Sequence, residues 1–530
     1  MNARTLVVAG VFGGSLISGG WLLGRGLNSP ESAVSNARIF DAVMTHIKRF
    51  YVDSVSDSAL FEKAAIGMLQ ELNDPYTVYL TPERARRLTE TASGNYVGIG
   101  AQVQRRDNWP MVITPLPGSP AERAGLHMGD RIVEIDGRET RGWTSDETLR
   151  ALRGPPETVV KVVIERPGNP RRLTFNLTRS GIHRRSIGRT LLLANGVGYV
   201  DLNTFNDSTE RELAQTTDSL ASLGMKSLIL DLRGNPGGVL SQGVAVARQF
   251  LSKGQAIVTM RGRTAETNQR VVAGDEQRWP RLPLVVLVDE GSASAAEIVA
   301  GALQDHDRAV LLGRPTFGKG SAQVVYSVAS GGAVRLTTAR WFTPLGRSIE
   351  RPRPSEEADG DSEPPRRQFR TPGGRVVYGG GGIVPDVTAG DSALTPGEQA
   401  LENALGTRVI DFRDAITAYA IQLKTRGSIT SPAFTVTPTM LNGLWATLRE
   451  RGFSFDRAVF DGAANLVSRL LGREIARYAF GPVAEAERWA REDEVVQAAQ
   501  RLASGVASMD ELLDRARNAA RSASDTTRKQ

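Results

Sequence analysis

Three patterns of hydrophobic and polar residues follow one another along the chain, and each predicts a different kind of structure. Between residues 30 and 93 apolar side chains recur at intervals of three and four, which is typical of amphipathic helices. The apolar face of the first helix consists of Phe40, Val43, Met44, Ile47 and Tyr51. Residues 94–180 carry short β-branched runs separated by glycine and proline. This second pattern predicts a compact domain of short strands with one or two helices.

From residue 197 to residue 345 strands and helices alternate, which indicates an α/β layer on a largely parallel sheet. The strand candidates are 198–202, 227–231, 284–288 and 309–312, with helices near 208–223, 239–251 and 293–304. Three polar or glycine-rich segments follow strands of this set, at 233–238, 289–294 and 313–320. Because binding sites in such sheets lie at the carboxyl ends of the strands, we expect these segments to form the functional site.

Two segments of the C-terminal half depart from this pattern. Residues 350–382 are rich in proline, glycine and charged residues, which predicts a partly disordered insertion at the surface. Residues 395–530 return to a helical pattern dominated by alanine, leucine, arginine and glutamate. No motif assigns a role to this tail, so homo-oligomerisation, partner binding and capping of the core are three open alternatives.

An uncharged stretch runs from Leu6 to Leu23, between Arg4 and Arg25. As a helix it would span about 27 Å, close to the roughly 30 Å of a bilayer's hydrocarbon core. We expect a membrane anchor within residues 1–26, with a cleaved signal segment and a buried core helix as alternatives. An anchor or a signal would place residues 30–530 outside the cytoplasm, on the periplasmic side of the inner membrane.

Composition excludes several classes of chemistry. The 530 residues include no cysteine, which excludes disulfides, thiol catalysis and cysteine-bound metal. The 4 histidines share no metal-ligand spacing, so we expect neither a metal nor a cofactor. The net charge of +7 is small for this length and predicts no nucleic-acid partner. An activated serine is then the best nucleophile, and a lysine is the best base.

Ser294 and Lys319 are the candidates for these roles. Ser294 follows the strand candidate 284–288 at the predicted start of a helix, where unpaired N–H groups and the helix dipole favour negative charge. Lys319 has no acidic neighbour in sequence, and burial in such a setting favours the neutral amine. A serine at a helix start is more often a simple cap, although Ser292 is the stronger candidate for capping.

Two further features concern the same loops. The N–H of Ala295, together with a second donor from the Gly237-Gly238 turn, is predicted to hold a tetrahedral oxyanion. The segment from Gly313 to Lys319 also matches most of a phosphate-binding loop. Gly320 stands where that loop needs serine or threonine, and a strand is predicted to follow instead of a helix. Nucleotide binding is therefore not expected.

Several motifs in a fixed order resemble the carboxyl-terminal processing peptidases, exported serine endopeptidases of family S41. They are DPYTVYL at 74–80, YVGIG at 96–100, LRG at 152–154, DLRGNPGG at 231–238, GSASAAE at 291–297 and TFGKGSAQ at 316–323. This resemblance implies that Ser294 is the nucleophile, that Lys319 is the general base and that Gln323 orients the lysine. It also implies an α/β crotonase-like catalytic core at 182–390 with an inserted PDZ domain at 94–180, flanked by the helical region at 30–93. The C-terminal helical region at 395–530 lies beyond the resemblance, which covers roughly residues 36–390.

The PDZ resemblance implies where a substrate binds. The loop Gly98-Ile99-Gly100-Ala101 would offer N–H groups to the C-terminal carboxylate of a peptide, which adds as a strand. Arg153 resembles a residue that couples the PDZ domain to the active site. The expected substrates are proteins or peptides with a free apolar C-terminus. The rival hypotheses are a non-catalytic PDZ scaffold on an inactive peptidase fold and, less compatible with export, an acyl-CoA enzyme of the crotonase type.

Overall fold

A computed structural model describes residues 30–167, 169–274, 277–328, 331–351, 366–390 and 394–527. The anchor expected at residues 6–23 lies outside this range. The chain divides into two units: the first comprises residues up to Pro82 together with 323–337, and the second comprises the remainder. Among the helices described, none combines the length and the apolar character that crossing a bilayer requires.

The first unit begins with two helices, as the spacing of apolar residues predicts. They are α1 (Pro30–Phe50) and α2 (Asp57–Gln70), and the short strand β1 (Val78–Leu80) follows them. The predicted apolar face of α1 is largely uncovered, since Met44 is buried whereas Phe40 and Val43 are exposed. The strand β1 is absent from the prediction because three residues are too few to show a period.

A helix, α3 (Pro82–Ser93), precedes the domain of short strands. The elements of this domain are β2 (Asn95–Gly98), β3 (Ala101–Arg106), β4 (Trp109–Pro115), α4 (Pro120–Arg123), β5 (Arg131–Ile135), β6 (Arg138–Glu139), α5 (Ser145–Leu152), β7 (Val159–Glu165), β8 (Leu173–Thr178) and β9 (Ser180–His183). The first and last strands, β2 and β9, pair antiparallel. The others form a sheet in the order β3-β4-β5-β7-β8, with β6 beside β5. Strand β3 is therefore an edge strand, and α5 packs against it.

The α/β layer follows, and its strands at 227–231 and 284–288 have the predicted bounds. Its elements are β10 (Ile187–Leu193), β11 (Val197–Leu202), α6 (Thr209–Ser222), β12 (Ser227–Asp231), α7 (Leu240–Arg248), β13 (Ala256–Gly262), β14 (Gln269–Val272), β15 (Leu284–Val288), α8 (Ala295–Asp305), β16 (Val310–Gly313), β17 (Ser321–Ser327), β18 (Ala333–Phe342), β19 (Arg367–Arg370), β20 (Val376–Gly379) and β21 (Val387–Thr388). The main sheet has the order β10-β11-β12-β15-β16-β21, and only its first pair is antiparallel.

Strand β18 takes part in pairings within each unit. In the first unit its start pairs antiparallel with β1, with Val78 opposite Arg335, and β17 also pairs with β18. In the second unit its last residues pair antiparallel with β13, with Thr259 opposite Phe342.

The predicted insertion at 350–382 is partly a regular hairpin. Strands β19 and β20 pair antiparallel. Arg375, in the turn between them, donates hydrogen bonds to Asp307 at 2.6 Å and to Asp386 at 2.8 Å. Residues 366–382 of this segment are therefore ordered, because ion pairs with the core hold the turn. Residues 352–365 lie outside the described chain.

The tail is helical, as predicted, and forms two groups of helices. Its helices are α9 (Pro396–Leu405), α10 (Val409–Thr425), α11 (Pro438–Glu450), α12 (Arg457–Gly462), α13 (Ala464–Phe480), α14 (Pro482–Glu492), α15 (Glu494–Ala503) and α16 (Met509–Thr527). Helices α9 to α13 share a core of their own, with Phe412, Leu444 and Phe460 at its centre. Helices α14 to α16 pack on one face of the main sheet. Of the roles left open for the tail, capping of the core is thus observed.

Strands β12, β15 and β16 of the main sheet are buried at every position, and most of their residues are apolar. Leu228 and Leu230 of β12 point toward α6, α7 and α8, whereas Ile229 between them points toward α14 to α16. Such double burial fixes the strands firmly. The loops at the carboxyl ends of β12, β15 and β16 therefore stand on a rigid base.

Candidate active site

Three loops meet at the carboxyl edge of the main sheet. Ser292, after β15, donates its hydroxyl to the carbonyl oxygen of Leu232, after β12, at 2.7 Å. The N–H of Ala293 donates to the carbonyl oxygen of Asn235 at 2.9 Å. In the third loop, after β16, the N–H of Phe317 donates to the carbonyl oxygen of Ser292 at 3.0 Å. The segments singled out in the sequence therefore lie together.

Ser294 immediately precedes α8 in a backbone conformation that few residues with a side chain adopt. Its φ is 55° and its ψ is −114°, in a region that costs about 1–3 kcal/mol. A strained serine at a sharp turn from a strand into a helix is the arrangement that presents a nucleophile above a sheet edge. The helix begins at Ala295, so Ser294, and not Ser292 as predicted, occupies the capping position.

The buried carboxylate of Glu297 joins the start of α8 to the loop that carries the lysine. It accepts hydrogen bonds from the N–H groups of Ser294 at 2.8 Å, Gly318 at 2.8 Å and Lys319 at 2.9 Å. The hydroxyl of Thr316 donates to the same carboxylate. A single oxygen, Oε2, accepts from both Ser294 and Lys319, so the backbones of these residues converge on one atom. Burial raises the pKa of Glu297, and the donors around it oppose the rise.

Two N–H groups beside Ser294 can receive an oxyanion. Those of Gly238 and Ala295 make no hydrogen bond within the described part of the chain. The N–H of Gly237 instead donates to Oδ1 of Asn235 at 2.8 Å, which corrects the expectation that Gly237 supplies a donor. Glycine at position 237 lets the loop approach the start of α8 closely, because a Cβ there would lie 2.9 Å from the N atom of Ala295. Gly238 has φ 144°, which excludes other residues.

Lys319 is half-buried in the loop before β17. The sequence places no acidic residue near it, but the fold brings two carboxylates to this loop. One belongs to Glu297, and the other belongs to Glu350, whose Oε2 would lie 2.9 Å from a Cβ on Gly320. Gln323 lies on β17 in the first unit, where its amide donates to the hydroxyl of Thr337 at 3.2 Å.

The loop expected to bind a carboxylate runs from Gly98, the last residue of β2, to Ala101, the first of β3. The N–H groups of Ile99 and Gly100 make no hydrogen bond within the described residues. A Cβ on Gly100, whose φ is +73°, would lie 2.3 Å from the Cβ of Ser119, so only glycine fits. The loop therefore presents free donors at the start of an edge strand, beside helix α5.

Arg153 lies at the C-terminal end of α5, next to this loop. Its guanidinium donates to Glu90 at 3.0 Å and stacks over the ring of Tyr96 at 4.6 Å. Its Cγ would lie 3.6 Å from a Cβ on Gly98. The side chain borders a cavity of about 500 Å³ that α3 and α5 line with arginines. Arg153 thus joins α3, through Glu90, to the start of the loop at 98–101.

Three family descriptions match the chain. Peptidase family S41 matches residues 196–356, a PDZ domain matches 111–166, and the activating protease CtpB N-terminal domain matches 26–84. The carboxy-terminal-processing protease of Bartonella bacilliformis is 36% identical over 327 residues, which cover 61% of this chain and 74% of that protein. The chain belongs to peptidase family S41. This S41 peptidase is a serine-type endopeptidase with a PDZ domain.

Two other relatives extend the comparison. The carboxy-terminal processing protease CtpA of Bacillus subtilis is 35% identical over 305 residues, and the match covers 58% of this chain and 65% of that protein. The solved structure of the photosystem II D1 C-terminal processing protease is 30% identical, with a TM-score of 0.36, and covers 67% of this chain and 88% of that chain. The S41 peptidase thus spans about two thirds of the Bacillus relative's length.

Glu297 and Asn235 are parts of the site that sequence reasoning missed. Asn235 has no exposed surface, and its amide donates to the carbonyl oxygen of Leu202 at 2.6 Å while its Oδ1 accepts from Gly237. For Glu297 a signal existed, since a glutamate three residues after a serine at a helix start is the capping-box spacing. Nothing in the sequence indicates that its second partner is the loop at 316–319.

Proposed function

We propose that this S41 peptidase cleaves proteins whose C-terminus its PDZ domain has bound, with Ser294 and Lys319 as a catalytic dyad on a crotonase-like core. The observation that carries the proposal is the carboxylate of Glu297, one oxygen of which accepts the N–H groups of both residues. A shared buried acceptor fixes two loops from different strand ends in one geometry. Nucleophile and base need such fixed placement.

The reaction proceeds through an acyl-enzyme. The neutral amine of Lys319 takes the proton from the hydroxyl of Ser294, whose oxygen attacks the peptide carbonyl carbon. The N–H groups of Gly238 and Ala295 hold the negative oxygen of the tetrahedral intermediate. Lys319 then gives the proton to the departing amine, and water hydrolyses the ester with the same lysine as base. Gln323 serves to orient Lys319.

Substrate recognition occurs at the PDZ domain. The N–H groups of Ile99 and Gly100 bind the terminal carboxylate, and the peptide adds as a strand to the free edge of β3 beside α5. Arg153 changes partner from Glu90 when the carboxylate arrives and so links binding to the active site. An apolar C-terminal residue suits the loop because its surroundings, Ile99 and Leu126 among them, are buried and apolar.

We propose in addition that the enzyme is exported and is held at the membrane by residues 6–23. The uncharged character of this stretch supports the proposal. Fractionation of cells with antibody against residues 394–527 tests it. Recovery of the protein in the membrane fraction, accessible to protease from the periplasmic side, is expected, and recovery in the cytosol would refute it.

The dyad is tested with the soluble region and an unfolded protein substrate. Ser294→Ala and Lys319→Ala should each lose activity by about three orders of magnitude or more. Lys319→Arg should be equally inactive, because a guanidinium stays charged and cannot accept the proton. The rate of the unmodified enzyme should fall as the pH is lowered, since protonated Lys319 is no base. Full activity in any of the three variants would refute the dyad.

A further inference from the structure

Arg233, the second residue after β12 in the loop that ends in Gly237-Gly238, is held from two sides. On one side its guanidinium donates to Asp231, at the end of β12, at 2.7 Å. On the other side a second nitrogen donates to both carboxylate oxygens of Asp493, each at 3.2 Å. Asp493 belongs to the tail, between α14 and α15. The catalytic core and the last helices thus share this arginine.

The partners of Arg233 are themselves fixed in place. Asp493 accepts a hydrogen bond from the N–H of Val496 at 2.9 Å and so caps α15. Asp231 accepts the hydroxyl of Tyr199 at 2.7 Å. The ring of Trp489, one turn before Asp493, lies 5.4 Å from the ring of Tyr199 and 5.8 Å from the guanidinium of Arg233. The side chains of Asp231, Arg233 and Asp493 are 4%, 18% and 16% exposed, so water screens these contacts only partly.

A short path leads from Arg233 to the oxyanion donor. Its N–H donates to Asp231 at 2.9 Å, which fixes where the loop leaves the strand. The next residue, Gly234, donates its N–H to Asp289 at 2.8 Å and so joins the neighbouring loop. The loop then turns through Asn235 to Gly238. A displacement of Arg233 therefore moves the free N–H of Gly238 relative to Ser294.

We propose that Asp493 is a positioning residue for catalysis: through Arg233 it places the N–H of Gly238 where the oxyanion forms, so the C-terminal helices complete the active site. The inference rests on the proposed function and extends it to a region outside the matched S41 segment. Asp493 touches neither substrate nor Ser294. Its effect is expected on the chemical step, because oxyanion stabilisation acts on the transition state and not on substrate binding.

The test compares Asp493→Asn with the matched control Glu492→Gln in the full chain. Glu492 is the adjacent residue, is equally exposed at 16%, and pairs with Arg473 and Arg488 inside the tail. With a peptide substrate, Asp493→Asn should lower kcat about tenfold or more while KM stays within about twofold. Glu492→Gln should change neither constant by more than about twofold. Asp493→Glu, which keeps the charge, should recover part of kcat.

Hydrogen exchange of the peptide spanning residues 229–240 gives an independent readout. Asp493→Asn should accelerate exchange there, and Glu492→Gln should not. Unchanged exchange in Asp493→Asn, or faster exchange with an unchanged kcat, would overturn the proposal. If the unmodified enzyme is no more active than Ser294→Ala, the proposed function fails, and the exchange data alone then decide whether Asp493 holds the loop.

Discussion

Glu297 shows how far the site depends on one side chain at the residue scale. Its two oxygens accept four hydrogen bonds, and its side chain has no exposed surface, so loss of the carboxylate removes four contacts at once. The strained backbone of Ser294 persists because its N–H is one of these four. Loss of the carboxylate would therefore release the strain and separate Ser294 from the lysine loop.

Glu297→Gln keeps the shape of the side chain but replaces one acceptor by an NH₂ group that faces N–H donors. We expect about 2–3 kcal/mol less unfolding free energy and a fall in kcat of about a hundredfold. Denaturant unfolding and steady-state kinetics measure the two effects. Glu290→Gln is the control, since Glu290 forms an exposed pair with Arg314 and should change stability by less than about 1 kcal/mol. Equal effects in both variants would contradict this prediction.

Asp201, at the end of β11, provides a prediction about pH. Burial and the nearby Asp231 raise its pKa to about 6, which Arg189 only partly offsets. Because the folded-state pKa exceeds the roughly 3.9 of an unfolded aspartate, its contribution to stability is complete below about pH 4 and is lost as the pH rises through 6. Asp201→Asn should remove this loss. The unfolding free energy of the variant minus that of the parent should therefore be larger at pH 7 than at pH 4, by up to about 3 kcal/mol. Denaturant unfolding of both proteins from pH 4 to pH 7 measures this difference. If the unfolding free energies of variant and parent change with pH in parallel, the prediction is wrong.

At the scale of elements, the loop from β2 to β3 combines two requirements in one place. The proposed binding of a peptide C-terminus requires free N–H groups in this loop and an edge of β3 that is open for a further strand. Gly100 meets both, because its positive φ turns the chain and its missing side chain lets Ser119 approach. An edge strand beside a helix is the arrangement that accepts a peptide.

Gly100→Ala should therefore weaken the binding of peptides with a free C-terminus, since the new Cβ would collide with Ser119 and displace the donors. Gly118→Ala is the matched control: its φ of +69° imposes similar strain, but no atom lies within 4 Å of the added Cβ. Fluorescence anisotropy with a labelled peptide measures the affinity. We expect at least a tenfold weaker Kd for Gly100→Ala and less than a twofold change for Gly118→Ala. The prediction fails if the C-terminally amidated peptide binds as tightly as the free acid.

The elements of the α/β layer could be predicted because their chemistry is local. The runs at 227–231 and 284–288 are apolar at nearly every position and end at polar turns. The short strands β1, β19 and β20 could not be predicted, since a run of four residues or fewer shows no hydrophobic period. The contacts of Glu297 with the 316–319 loop and of Arg233 with Asp493 could not be predicted, because partners that are far apart in sequence produce no recognisable spacing.

On the scale of the whole molecule, the tail connects parts that the sequence separates widely. Helices α14 to α16 cover the main sheet, while α10 and Arg451, the residue after α11, contact the PDZ domain. Asp414 accepts hydrogen bonds from Arg106 at 3.0 Å and from the N–H of Asp107 at 2.7 Å. Asp107 in turn accepts from Arg451. The PDZ domain is thus bound to the first group of tail helices, and the second group packs on the catalytic core.

Asp414→Asn tests this connection. The variant leaves the guanidinium of Arg106, which is only 15% exposed, without its charged partner, so we expect a loss of about 2 kcal/mol. Limited proteolysis should cut near β3 faster than in the parent. Asp411→Asn on the same helix is the control, because Asp411 is 60% exposed and pairs with Arg408 at the surface. If both variants resist protease equally well, the connection contributes nothing.

The position of the tail after the α/β layer in the sequence also determines when, during synthesis, the contacts of Arg233 are completed. Synthesis runs from the N-terminus, so the nucleophile loop leaves the ribosome long before α14 to α16 exist. Until those helices arrive, Ile229, Val285 and Leu287 face water and Arg233 lacks Asp493. A nascent or truncated chain therefore lacks one of the two carboxylates that hold Arg233, and under the proposed role of Asp493 it would not yet cleave its own unfolded segments.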